Sequence, residues 1–105
     1  MDTKFKLVFD EVILKQLKKS SKNQDIKLIL SKMLDKLELQ CHNAGKLLDS
    51  KLLLYELKNM HPPIRLYFRY NSKSNEIYIF EYEMKTSVEN QNKLINKLKE
   101  KSSKS

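Results

Sequence analysis

Pro62-Pro63-Ile64-Arg65-Leu66-Tyr67-Phe68-Arg69-Tyr70 is the stretch on which the reading of this chain turns. After the prolines its residues alternate with period two, the pattern of a strand with one covered face and one open face. The chain has 19 lysines and two arginines, and both arginines, Arg65 and Arg69, fall in this one segment. A lysine is a point charge, whereas the planar arginine fork grips a phosphate or carboxylate at two points. The placement implies that geometry counts here. Two readings are open: a basic sheet face that handles RNA phosphates, or arginines that pair with carboxylates on neighbouring strands.

Upstream, Leu52 to Lys58 reads as a strand, and Asn59 to Pro63 as the turn that joins it to the quoted one. Downstream, Asn71 to Asn75 is a polar turn, and Ile77 to Met84 a strand rich in β-branched and aromatic residues. The three form an antiparallel meander. Pairing across the polar turn sets Arg69 opposite Ile77, Tyr67 opposite Ile79 and Arg65 opposite Glu81. Odd positions Arg65, Tyr67, Arg69, Glu81, Glu83 and Lys85 then share the open face. Even positions Leu66, Phe68, Tyr70, Tyr78, Phe80 and Tyr82 form the apolar face, expected under helices. The turn at the prolines leaves open whether Lys58 lies on the Arg65 face.

Farther out, Phe5 to Phe9 predicts a first strand, with Asp10 as the cap of a short helix from Glu11 to Ser20. Ser20 to Gln24 is a polar break. From Ile26, apolar residues recur at three- and four-residue steps through Leu37, an amphipathic helix that closes an antiparallel hairpin with the first. Gly45, the only glycine, predicts a left-handed backbone. Lys46 to Ser50 reads as a connector. Thr86 or Ser87 caps a final helix from Val88 to Lys101, and residues 102–105 are an expected frayed tail. The fold class expected is α+β, one domain over residues 1–105.

The totals narrow the partners. At 105 residues only one modest core can form. The net charge of +8 favours nucleic acid, an anionic membrane surface or an acidic protein. No apolar run approaches the ~18 residues of a membrane span, and the N-terminus lacks a signal-peptide pattern, so no membrane role and a cytoplasmic location are expected. Cys41 is the only cysteine, which excludes an internal disulfide. With no further ligand set beside Cys41 and His42, no metal or other cofactor is expected.

Taken in order, four segments resemble a known family. They are Gly45 with Lys46-Leu47-Leu48, then Leu54-Tyr55-Glu56-Leu57-Lys58, then Ile64-Arg65-Leu66-Tyr67-Phe68, then Ile77-Tyr78-Ile79-Phe80 leading into Tyr82-Glu83-Met84-Lys85-Thr86. With a basic helix after them, they are similar to the RelE/ParE toxin superfamily, most of all to its phage-derived HigB-type branch. The resemblance implies a RelE-like fold and a toxin of a type II toxin–antitoxin pair. Known members mostly cut messenger RNA on the ribosome without a metal, the RNA 2′-hydroxyl attacking the neighbouring phosphate. By this resemblance Arg65 holds the scissile phosphate, Lys58 contacts phosphate or transfers a proton, and Lys85 is a further phosphate contact. Apart from the resemblance, which offers no counterpart for Arg69, Arg69 and His61 are expected as peripheral nucleic-acid contacts. The implied partners are the ribosome, messenger RNA and an antitoxin, often a helix-turn-helix protein encoded adjacently.

The departures concern the proton chemistry. Many ribosome-dependent members carry a Tyr or His in or near the C-terminal helix, and Val88 to Ser105 holds neither. Met84 stands where a basic residue often precedes Lys85, and Glu56 is acidic two positions before Lys58. The general acid and base are thus unassigned, with Tyr67, Tyr82 and His61 as substitutes. Two other functions stay open: a ParE-like inhibitor of DNA gyrase, and a basic nucleic-acid-binding module of phage origin.

Overall fold

The structure, a computed structural model, describes residues 5–84 and 88–103. Along the chain run strand β1 (Lys6–Phe9), helices α1 (Glu11–Ser20) and α2 (Gln24–Gln40), and a 3-10 turn (Cys41–Ala44). Strands β2 (Lys46–Asp49), β3 (Leu54–Asn59), β4 (Ile64–Asn71) and β5 (Glu76–Met84) follow, and helix α3 (Val88–Ser103) closes the chain. The architecture is α+β around one five-stranded mixed sheet, in the order β1-β5-β4-β3-β2. β1 runs parallel to β5, and the remaining neighbours are antiparallel.

The helix hairpin forms for the reasons legible in its residues. Asp10 caps α1 by accepting from the Val12 amide at 3.0 Å. Asn23 caps α2, its Oδ1 accepting from the amides of Asp25 and Ile26. Ile13 from α1 and Ile26, Leu30, Met33 and Leu37 from α2 bury themselves against one face of the sheet. There they meet Tyr55, Leu57, Ile64, Leu66, Phe68, Ile77 and Ile79.

The opposite face, expected to be open, is largely covered. Leu98 of α3 is buried with Leu54, Tyr67 and Phe80, flanked by Leu48, Tyr78, Leu94 and Ile95. Three lysines of α3 tie its edges down: Lys97 to Glu81 (3.3 Å), Lys99 to Asp49 (3.4 Å) and Lys101 to Asp10 (3.2 Å).

Four local expectations change. Lys46 to Asp49 is an edge strand rather than a connector. β3 begins at Leu54, because Asp49 Oδ1 accepts from the amides of Lys51 and Leu52 and holds a turn there, with Leu53 at φ 52°. Gly45 is not left-handed. It is required by space: a Cβ there would stand 2.6 Å from the Glu56 carbonyl oxygen and 3.0 Å from the Phe68 ring.

The β4–β5 register also differs. Asn71 pairs with Glu76 across a four-residue turn in which Asn75 takes φ 59°, so Arg69 faces Tyr78 rather than Ile77. A bulge at Phe80 then shifts the ladder once more. Tyr67 comes opposite Glu81, and Arg65 opposite Glu83. Near the turn the faces of β5 are therefore exchanged: Ile77 and Ile79 meet the helix hairpin, and Tyr78 and Phe80 meet α3.

Candidate nucleic-acid interface

Residues directly opposite in a sheet project from the same face. Lys58 pairs with Arg65 across β3 and β4, and Arg65 with Glu83 across β4 and β5. The three side chains thus form one row at the end of the sheet. The turn beside them is held by Asn59, whose Nδ2 donates to the Pro62 carbonyl at 2.9 Å, and the His61–Pro62 peptide is cis. Lys58, Asn59, Met60, Pro63, Ile64, Arg65 and Glu83 line a pocket of about 260 Å³.

The electrostatics of the row decide what it can hold. Lys58 is exposed, and Arg65 and Glu83 are half-buried. Among the described residues, no salt bridge engages Lys58 or Arg65. Glu83 is engaged from another side: the Tyr67 hydroxyl donates to its Oε1 at 2.5 Å. The carboxylate expected opposite Arg65, Glu81, is 6% exposed and belongs to α3, with Lys97 Nζ 3.3 Å from each of its oxygens. The Arg65–Glu81 pair is thereby excluded. The result is two cations and one carboxylate around a small pocket, a set able to cradle a phosphate and accept a proton beside it.

The structure separates the remaining candidates. Arg69 sits four residues along β4 from Arg65, ~13 Å at ~3.3 Å per residue, opposite Leu54 and Tyr78. It lines a different pocket of about 290 Å³ with Val8, Asn71, Glu76, Tyr78, Phe80 and Lys101. Tyr67 is fully buried, and its hydroxyl reaches the Lys58–Arg65 pocket through its bond to Glu83. Tyr82 lies against the helix-hairpin core, its amide and carbonyl both bonded to the Gln16 side chain. His61 is exposed on the turn. Lys85 lies outside the described residues. Glu83 is the residue that sequence reasoning placed on the correct face without giving it a part in the site. The bulge that aims it at Arg65 has no signature in the residues alone.

Beside Arg69 lies a second charged cluster, which joins three elements. The Tyr78 hydroxyl donates to Asp10 Oδ1 at 2.7 Å, and Lys101 Nζ stands 3.2 Å from Oδ2. Hydrogen bonding to Asp10 pushes the Tyr78 phenol up to about 12. Burial works to raise the Asp10 carboxyl. The bonds from Tyr78, the Val12 amide and Lys101 outweigh it and hold the carboxyl below its ordinary value.

No family model matches the sequence, and no curated protein matches it. Solved structures match its fold. A mutant of the E. coli toxin RelE in the free state superposes with a TM-score of 0.68 at 19% identity, over 90% of this chain and 97% of that one. The isolated E. coli RelE toxin gives 0.64 at 20% identity, over 90% and 98%. The RelBE2 toxin–antitoxin complex of Mycobacterium tuberculosis gives 0.66 at 15% identity, over 83% and 98%. The chain has the RelE-like toxin fold. Among the described residues no helix is long and apolar enough to cross a membrane.

Proposed function

We propose that the chain is the toxin of a type II toxin–antitoxin pair and acts as a ribosome-dependent endoribonuclease of the HigB-type branch. The observation that carries this reading is the Lys58–Arg65–Glu83 row on a RelE-like fold, with neither cation held by a described carboxylate. The departures noted in the sequence concern the proton chemistry, and Glu83 supplies the missing acceptor. In this scheme Glu83 takes the proton of the 2′-hydroxyl, and the freed oxygen bonds to phosphorus. Arg65 holds the non-bridging oxygens as their charge grows. The bond from phosphorus to the 5′-oxygen breaks, and the leaving oxygen takes a proton from Lys58. The products are a 2′,3′-cyclic phosphate and a 5′-hydroxyl end, and water returns the proton from Glu83 to Lys58. Tyr67, bonded to Glu83, keeps that carboxylate aimed.

Two of the structural neighbours are toxin–antitoxin complexes, which supports an antitoxin as partner here. The partner expected is a helix-turn-helix protein encoded next door. Induced expression should arrest growth with breaks inside translated messages, and Arg65→Ala should relieve the arrest. Growth arrest with intact messages would refute the nuclease and direct attention to DNA gyrase.

A further inference from the structure

The Lys58–Arg65 pocket has a continuation. Lys58 and Asn59, at the end of β3, also line a groove of about 260 Å³ on the other side of the strand, between β3 and α2. Its remaining walls are Ile29, Lys32, Met33, Lys36 and Leu57. Lys32 and Lys36 are exposed and one helical turn apart, ~6 Å along the axis. Among the described residues no salt bridge engages either. Of the acids of α2, Asp35 and Glu38 project ~100° or more around the helix from the groove's midline, at ~100° per residue, and Asp25, one turn before Ile29, lines a different pocket. The groove thus offers an apolar floor, a rim of lysine and no facing carboxylate among its lining residues.

We propose that this groove holds the backbone phosphates of the RNA nucleotides that flank the one seated at Arg65, so that a single strand turns round the end of β3 from one pocket to the other. The inference rests on the nuclease reading of the Arg65 pocket and adds a binding track to it. Charge complementarity and shared walls favour RNA as the occupant. The two lysines in line suit successive phosphates, and Lys58 bridges the two sites.

The test compares binding of a labelled dinucleotide and of a longer unstructured RNA, across a salt series, by purified protein. Lys32→Gln/Lys36→Gln preserves helix propensity and removes two charges. The double variant should bind the longer RNA several-fold more weakly, with a salt slope smaller by ~1.4, at ~0.7 per phosphate contact on single strands. Its binding of the dinucleotide should be unchanged. Lys19→Gln on α1 with Lys22→Gln in the turn after it makes the same change in net charge away from the groove and should move the slope less. Equal loss from the two double variants, or equal loss for both RNAs, would overturn the track. Arg65→Ala serves as the independent arm and should weaken both RNAs. Should it weaken neither while the α2 pair still matters, the Arg65 reading fails and the groove stands as an RNA contact in its own right.

Discussion

At the scale of single residues, Arg65, Glu83 and Gly45 each depend on position in a different way. In the proposed nuclease Arg65 acts as a planar fork, so Arg65→Lys should keep much of the RNA affinity while cleavage falls ~10²–10³-fold, the usual cost of losing one donor to developing charge. Glu83→Gln still accepts from Tyr67 but no longer takes a proton. It should lower the cleavage rate ~10²–10⁴-fold with RNA binding intact, measured on a defined message in a purified translation system. Gly45 tests packing rather than chemistry. Gly45→Ala places a methyl 2.6 Å from the Glu56 carbonyl, a main-chain atom with little room to retreat. Overpacking of this kind costs ~1–3 kcal/mol, readable as a lowered midpoint in urea unfolding. The glycine itself was visible in the sequence. Its reason was not, since a left-handed turn and a tight cross-strand approach ask for the same residue.

At the scale of elements, α3 changes the picture most. Its sequence offers a thin stripe, Leu94, Ile95 and Leu98, among many lysines, and from that stripe alone the helix has no obvious seat. The structure seats it on the sheet face carrying Leu54, Tyr67 and Phe80, where Leu98 is fully buried. Leu98→Ala should cost ~2–5 kcal/mol, a large part of the ~5–15 kcal/mol that holds a domain of this size. The helix hairpin, by contrast, was legible in its Asp10 cap and its 3.6-residue period, which are local properties, while the cap of α2 proved to be Asn23, inside the stretch read as a polar break. The β4–β5 pairing was half legible. Arg65 and Glu83 were expected on one face and are found there, yet their partners moved. The turn register and the Phe80 bulge depend on how the far ends of both strands are held, which no short window of residues encodes.

At the scale of the whole molecule, the Asp10–Tyr78–Lys101 cluster ties the start of α1, strand β5 and the end of α3 together. Its titration gives stability a shape in pH. The Asp10 carboxyl lies below its ordinary value in the fold, so its contribution is present above ~4 and is lost as pH falls through the folded value. The Tyr78 phenol lies above its ordinary value, at about 12. Its contribution is complete below ~10 and is lost as pH rises from there toward the folded value. Asp10→Asn keeps a helix cap but removes the charge, so urea unfolding across pH should show a flattened acid limb and lower stability at neutrality.

What the residues determined by themselves are the local and statistical properties: a strong positive charge, two amphipathic helices, the first capped by Asp10, three alternating strands, and the gathering of both arginines in one of them. Those follow from propensity, period and charge, each readable within one segment. What only the tertiary structure decided is which side chains meet. It set Glu83 opposite Arg65 in register, gave Glu83 to Tyr67 and Glu81 to Lys97, buried Tyr67 under α3, set Arg69 in a separate pocket, and made Lys58 a shared wall of the Arg65 pocket and the α2 groove. These are contacts between residues far apart in sequence, and one added residue in one strand is enough to redirect them.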